Sequence, residues 1–234
     1  MKVEKIKKLK ENGEVKLLIK ALNDKDAEIR RLAVNALGEI GDRTSVGSLI
    51  EKLNDKDGRV RLETVCTLGE LGDTRAVNPL IQYVTYGSGF GDFHMRKAAV
   101  IALGKLGNSQ AVEPLIQFLT NKYNIGTFKG YSYEECYLLK SIALNALVEI
   151  GDTQAIEPII KCLSDREDRL RNFAINALVK WKNNLTVEPL IDCLSSKNYE
   201  TVKSAIQALG TLGDMRAVEP LINQLSYKDS NRSI

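Results

Sequence analysis

The sequence predicts an all-α fold, an α-α superhelix of about six and a half stacked helical hairpins. Three observations predict it: a 31-residue period, a proline in one register of the later copies, and helical apolar spacing around it. The segments AVNPLI, AVEPLI, AIEPII, TVEPLI and AVEPLI begin at Ala76, Ala111, Ala155, Thr186 and Ala217. They hold all five prolines of the chain, Pro79, Pro114, Pro158, Pro189 and Pro220. Leu17 and Ser48 take the same place in two earlier copies, so the successive intervals are 31, 31, 35, 44, 31 and 31 residues. A fixed period of this length marks repeats that bury their apolar faces against one another.

At the N-terminus Val3, Ile6 and Leu9 recur at helical spacing among lysines, so residues 1–12 are expected to form an amphipathic helix covering the open end of the first hairpin. Hairpins follow at about residues 14–44, 45–75, 76–110, 111–154, 155–185 and 186–216, with a half repeat over 217–234, all in a single domain 1–234. The first helix of each opens near its proline, whose missing amide costs nothing in a first turn. In the third copy Val77, Leu80, Ile81 and Val84 stand at i, i+3, i+4 and i+7. The second helix continues the pattern with Met95, Ala99, Ala102, Leu103 and Leu106. Gly41, Gly72, Gly107, Gly151 and Gly213, each followed by Asp or Asn, read as left-handed caps that end the second helices. In the last copy a first helix is expected from Ala217 to about Leu225, with no second helix after it.

The stretches DAEIRRLAVNALGEIGD (Asp26 to Asp42) and DGRVRLETVCTLGELGD (Asp57 to Asp73) show the unit most fully. They resemble the HEAT-like repeats of phycobilisome bilin lyases, whose pattern is AVxPLIxxLxDxDxxVRxxAxxALGxIGD, and the resemblance runs over nearly the whole chain. The fifth copy departs from it, with Val179, Trp181 and Lys182 where Gly, Ile and Gly stand in the pattern. The resemblance implies the superhelix, but the repeat serves scaffolds, lyases and hydroxylases alike, so it does not specify an activity.

The two long intervals locate insertions. From the first-helix proline to the basic residue of the second helix, the fifth copy takes 13 residues (Pro158 to Arg171), the third 17 (Pro79 to Arg96) and the fourth 26 (Pro114 to Lys140). The extra residues therefore lie between the two helices of adjacent copies, on one edge of the stack. Ten of the fourteen aromatic residues lie in or beside them: Tyr83, Tyr86, Phe90 and Phe93, then Phe118, Tyr123, Phe128, Tyr131, Tyr133 and Tyr137. Two readings are open: the rings anchor a partner, or they pack on one another as a satellite core beneath long loops. His94, the single histidine, stands beside the first insert as a candidate binding group or an ordinary surface residue.

In such stacks the second helices line the concave face. One ladder along them reads Asn35, Cys66, Ile101, Asn145, Asn176, Gln207; others carry Lys97 with Arg31, Leu62, Ser141, Asn172 and Lys203, and Glu39, Glu70, Lys105, Glu149, Lys180, Thr211. Lys97, Ile101, Asn145 and Asn176 join the aromatic inserts as expected partner contacts. The mixed signs suit a protein partner better than a duplex, which prefers a continuous cationic track. The regular Arg30, Arg61, Arg96, Lys140 and Arg171 are expected to pair with loop acids such as Asp24, Asp55 and Asp165 rather than with phosphate.

A net charge of +3, from 33 Lys and Arg against 30 Asp and Glu, argues in the same direction. No signal peptide or membrane-length apolar run appears, and four cysteines without a CxxC pair point to reduced thiols and a cytoplasmic location. Neither a metal site nor a cofactor is expected. Deoxyhypusine hydroxylase, similar in repeat pattern, builds its metal site from His-Glu pairs, which one histidine cannot supply. The expectation is a non-enzymatic binding or scaffold protein with no catalytic residue. The alternatives are a bilin-lyase-like chaperone whose rings hold a flat ligand and, further off, a HEAT-like DNA-binding enzyme.

Overall fold

The computed structural model describes residues 2–85, 93–120, 131–181 and 184–230, with the side chains of 184 and 225–230 excepted. Every regular element among them is helical. A first helix α1 (Val3–Glu11) buries Ile6 and Leu9 against the first hairpin, α2 (Val15–Ala21) and α3 (Ala27–Ile40). The next hairpins are α4 (Val46–Lys52) with α5 (Gly58–Leu71), α6 (Val77–Thr85) with α7 (Phe93–Leu106), and α8 (Val112–Leu119) with α9 (Tyr133–Ile150). Then come α10 (Ile156–Lys161) with α11 (Asp168–Trp181), α12 (Val187–Cys193) with α13 (Tyr199–Leu212), and finally α14 (Val218–Ser230). The last helix runs past the Leu225 expected for it.

Each copy folds by the same local chemistry. The glycines that end the second helices have φ between 61° and 77°, a region that side chains with a β-carbon rarely adopt. The Asp or Asn after each glycine then caps a 3₁₀ turn that leads into the next first helix. Asp73 accepts from the Arg75 amide at 3.0 Å, and Asn108 accepts from the Gln110 amide at 2.9 Å. The Arg75 guanidinium and amide hold the Asp73 carboxyl at about 2, well below its ordinary range.

One continuous core runs the length of the stack, with Leu18, Leu49, Leu80, Leu115, Ile159 and Leu190 fully buried at equivalent positions of the first helices. The second helices of neighbouring copies pack more extensively on one another than the first helices do, which sets them on the inside of the curve. Small residues make this approach close. A β-carbon built on Gly38 would meet Thr67 Cγ2 at 2.8 Å, and one on Gly104 would meet Ala146 Cα at 2.9 Å. In the fourth and fifth copies valine (Val148, Val179) takes this place, and the interfaces from α9 to α13 are correspondingly less extensive.

Candidate functional site

The expected ladder of basic residues and loop acids forms in altered shape. Arg30 grips Asp55 of the next copy through two hydrogen bonds of 2.7 Å, both side chains being only 5% exposed. Asp24 and Asp165, however, serve through their main-chain carbonyls: Arg30 donates to Asp24 O at 2.9 Å and Arg171 to Asp165 O at 2.6 Å. Arg61 likewise donates to Asp55 O at 2.8 Å. The reason is reach: each arginine lies beneath its own loop and meets its carbonyls, while the carboxylates come from whatever lies near, Asp55 of the next copy for Arg30, and Asp168 of its own helix together with Glu200 of the next copy, at 2.8 Å, for Arg171. In the two copies with inserts an aromatic ring faces the cation. The Arg96 guanidinium stands 5.6 Å from the Tyr131 ring centre, and the Lys140 ammonium 5.8 Å from that of Tyr137.

The insert-edge residues divide by burial. Tyr86, Phe90, Tyr123 and Phe128 lie outside the described residues. Phe93 and Tyr137, expected to contact a partner, are instead 8% and 7% exposed, Phe93 because it packs on Tyr131 of the next copy and Tyr137 because it lies against Tyr133 and Lys140 of its own helix. Phe93 meets Tyr131 edge-on at 6.0 Å, joining the third copy to the fourth. Tyr133 is 54% exposed and lies 4.5 Å from Tyr137. A hydrogen bond with Glu167 of the fifth copy raises its phenol pKa well above the ordinary value. Glu134 beside it pairs with Arg169. Among the described residues, then, these rings work largely as inter-copy joints.

The second-helix face is where unsatisfied polar groups and exposed apolar groups meet. Its N-terminal half is internally neutralised: Glu39 pairs with Lys10 at 2.8 Å, Glu63 with Arg31 at 3.1 Å, and Glu70 with Lys105 at 3.7 Å. From α9 to α13 the face is different. Asn145, Asn172, Asn176 and Gln207 are exposed, and their carboxamides make no hydrogen bond among the described residues. Among them stands Phe173, 36% exposed, with Lys180 and Lys203 free of ion pairs among the described residues.

Nearer the N-terminus, α5 and α7 border a trough of about 280 Å³ floored by Leu62, Cys66, Ala98 and Ile101. His94 and Lys97 flank one end of α7's share of it, and Lys105 the other. The structure thus brings His94, Lys97 and Ile101 together, one or two helical turns apart, and sets Asn145 and Asn176 farther along the same face. The trough was not expected as such, since it exists only where Cys66 and Ala98, both small, face each other across two helices.

The thiols are poor nucleophiles. Burial pushes Cys162 up to about 12 and raises Cys136. Partial desolvation, with Glu63 and Glu70 nearby, raises Cys66 even though it is exposed. No group of His, Cys, Asp or Glu among the described residues is placed to hold a metal ion, and no described helix is long and apolar enough to cross a membrane.

Comparison with known proteins returns the repeat. The family profile for HEAT repeats matches residues 15–90 and 130–210, and that for the PBS lyase HEAT-like repeat matches residues 95–121 and 203–227. A search of curated proteins found no match. Among solved structures, the complex of CpcE and CpcF of phycocyanin lyase from Nostoc sp. is 26% identical, with a TM-score of 0.57, covering 88% of this chain and 79% of that one. An engineered protein is 19% identical with a TM-score of 0.49, over 94% of this chain and 64% of the other. Human deoxyhypusine hydroxylase, at 16% identity and a TM-score of 0.42, covers 90% of this chain and 89% of its own.

Proposed function

Because this chain belongs to the HEAT repeat family and carries repeats of the PBS lyase HEAT-like type, we propose that it is a non-enzymatic protein-binding module. Its partner docks on the second-helix face from α9 to α13. The observation that carries this reading is the set of exposed carboxamides, Asn145, Asn172, Asn176 and Gln207, with no hydrogen-bond partner among the described residues, around the exposed ring of Phe173. A carboxamide both donates and accepts, so the row can satisfy the main-chain groups of another polypeptide, while a large ring supplies an apolar anchor. Lys180 and Lys203 favour a partner surface with acidic residues.

The test is affinity capture from the native source with the wild-type chain and with the triple variant Asn145→Ala, Phe173→Ala, Asn176→Ala. Loss of a stoichiometric partner from the variant, with melting unchanged, supports the reading. Retention of every partner contradicts it.

A second reading has a specific observation behind it, the 26% identity to a phycocyanin lyase complex over most of both chains. In this reading the chain is one subunit of a bilin-handling pair, and its protein partner is a second repeat chain. It is distinguished by adding a bilin to the chain alone and to the captured complex. A bilin absorption band that shifts only with the complex favours the lyase-like role.

A further inference from the structure

We infer that the trough between α5 and α7 is a binding site for a small amphipathic monoanion, a single ring system or short alkyl chain bearing one carboxylate. It is independent of the protein docking proposed on α9 to α13, and its failure would leave that reading untouched.

The apolar half of the ligand follows from the floor. Gly69 lets α5 and α7 touch at Ala102. One turn nearer the start of α5, Cys66 and Ala98 are too small to fill the gap between the helices, leaving about 280 Å³ open beside Ile101, which is itself 37% exposed. That volume sits at the lower end of the range for small-molecule pockets, enough for one ring system and too little for a large multi-ring ligand.

The charge follows from which groups around the trough are already matched. Glu70 and Lys105 pair across one end at 3.7 Å. Glu63, the other nearby acid, is held by Arg31 at 3.1 Å and by Asn35 at 3.3 Å. Among the described residues Lys97 makes no ion pair, and His94 beside it meets the Phe93 ring edge-on at 5.4 Å. One unmatched ammonium, with an imidazole next to it, lies one helical turn from the Ile101 floor. A carboxylate fits there with its apolar body lying over Ile101 and Cys66, whereas a cation would be repelled and a dianion would keep one charge unmatched. The Cys66 thiol, raised by its surroundings, stays protonated at neutral pH and contributes a soft wall rather than a bond.

Cys66 also supplies the measurement. In a Cys193→Ser background it is the accessible thiol, since Cys136 and Cys162 are buried. Its labelling by N-ethylmaleimide, a neutral reagent, is followed with indole-3-acetate, tryptophol or tryptamine present, three probes that share one ring and differ in charge. Indole-3-acetate should slow labelling about tenfold once nine-tenths of the sites are filled, because only empty sites expose the thiol. Tryptophol should slow it far less and tryptamine not at all. Lys97→Glu should abolish protection by indole-3-acetate and create protection by tryptamine; if that variant melts early, Lys97→Gln should still lose the preference for the acid. The proposal is overturned if indole-3-acetate gives no protection, if the three probes protect equally, or if protection survives both Lys97 variants.

Discussion

A β-carbon on Gly69 would stand 2.8 Å from the α-carbon of Ala102, closer than side chains ever pack against a neighbouring helix backbone. The contact joins α5 to α7 on the inside of the curve, and Gly104 repeats it against Ala146 at 2.9 Å. Gly210, at the equivalent place in the last full hairpin, has nothing within 4 Å.

Gly69→Ala and Gly104→Ala should therefore each destabilise the stack by about 1–3 kcal/mol, the cost of forcing packed elements apart, despite the better helix propensity of alanine. Gly210→Ala meets no such obstacle and should stabilise by about 0.5–1 kcal/mol. Denaturant melts of the three variants check this, and a loss of stability in Gly210→Ala would remove the explanation.

Asp55→Asn should cost about 3 kcal/mol, because it leaves the buried Arg30 guanidinium without its counter-charge. It should also change the response to acid. Desolvation alone would raise the Asp55 carboxyl, but the Arg30 hydrogen bonds and the Asp57 amide outweigh it and hold the carboxyl below its ordinary value. A depressed folded-state pKa gives a contribution that is complete above the unfolded value of about 4 and is lost as pH falls through the folded one. Thermal melts from neutral pH to below pH 4 should show a shallower acid decline in Asp55→Asn than in the wild type.

Tyr131→Ala should destabilise by about 1–2 kcal/mol, since its ring meets Phe93 edge-on and lies beneath the Arg96 guanidinium. Truncating Tyr133, which is largely exposed, should move the melting midpoint much less. Equal losses in the two variants would mean that exposure does not separate joint from surface on this edge.

A neutral alkylating agent at mildly alkaline pH should label Cys66 first and Cys193 more slowly, leaving Cys136 and Cys162 until the chain is unfolded. Cys162 combines burial with a thiol pushed up to about 12, so almost none of it is the reactive thiolate. Peptide mapping after timed quenching gives the order.

The sequence by itself determined the architecture, because everything that makes a repeat is local and recurs. The Pro79 register, the cap at Gly72 and the i, i+3, i+4 spacing of Val77, Leu80 and Ile81 each act within a few residues of themselves, so one copy suffices to read them and six to be sure of the period. It also placed Lys97, Ile101, Asn145 and Asn176 on one face, since helical periodicity carries a face from copy to copy. Tertiary structure decided what depends on distances between copies. Whether Arg30 meets Asp55, Arg96 a ring or Arg171 the Glu200 carboxylate turns on which group the neighbouring copy brings within reach. Whether Phe93 and Tyr137 are surface or joint turns on how far the neighbouring hairpin covers them. The trough beside Ile101 arises from the pairing of Cys66 with Ala98 across an interface drawn close at Gly69, and residues 32 positions apart show no such relation until the stack is built.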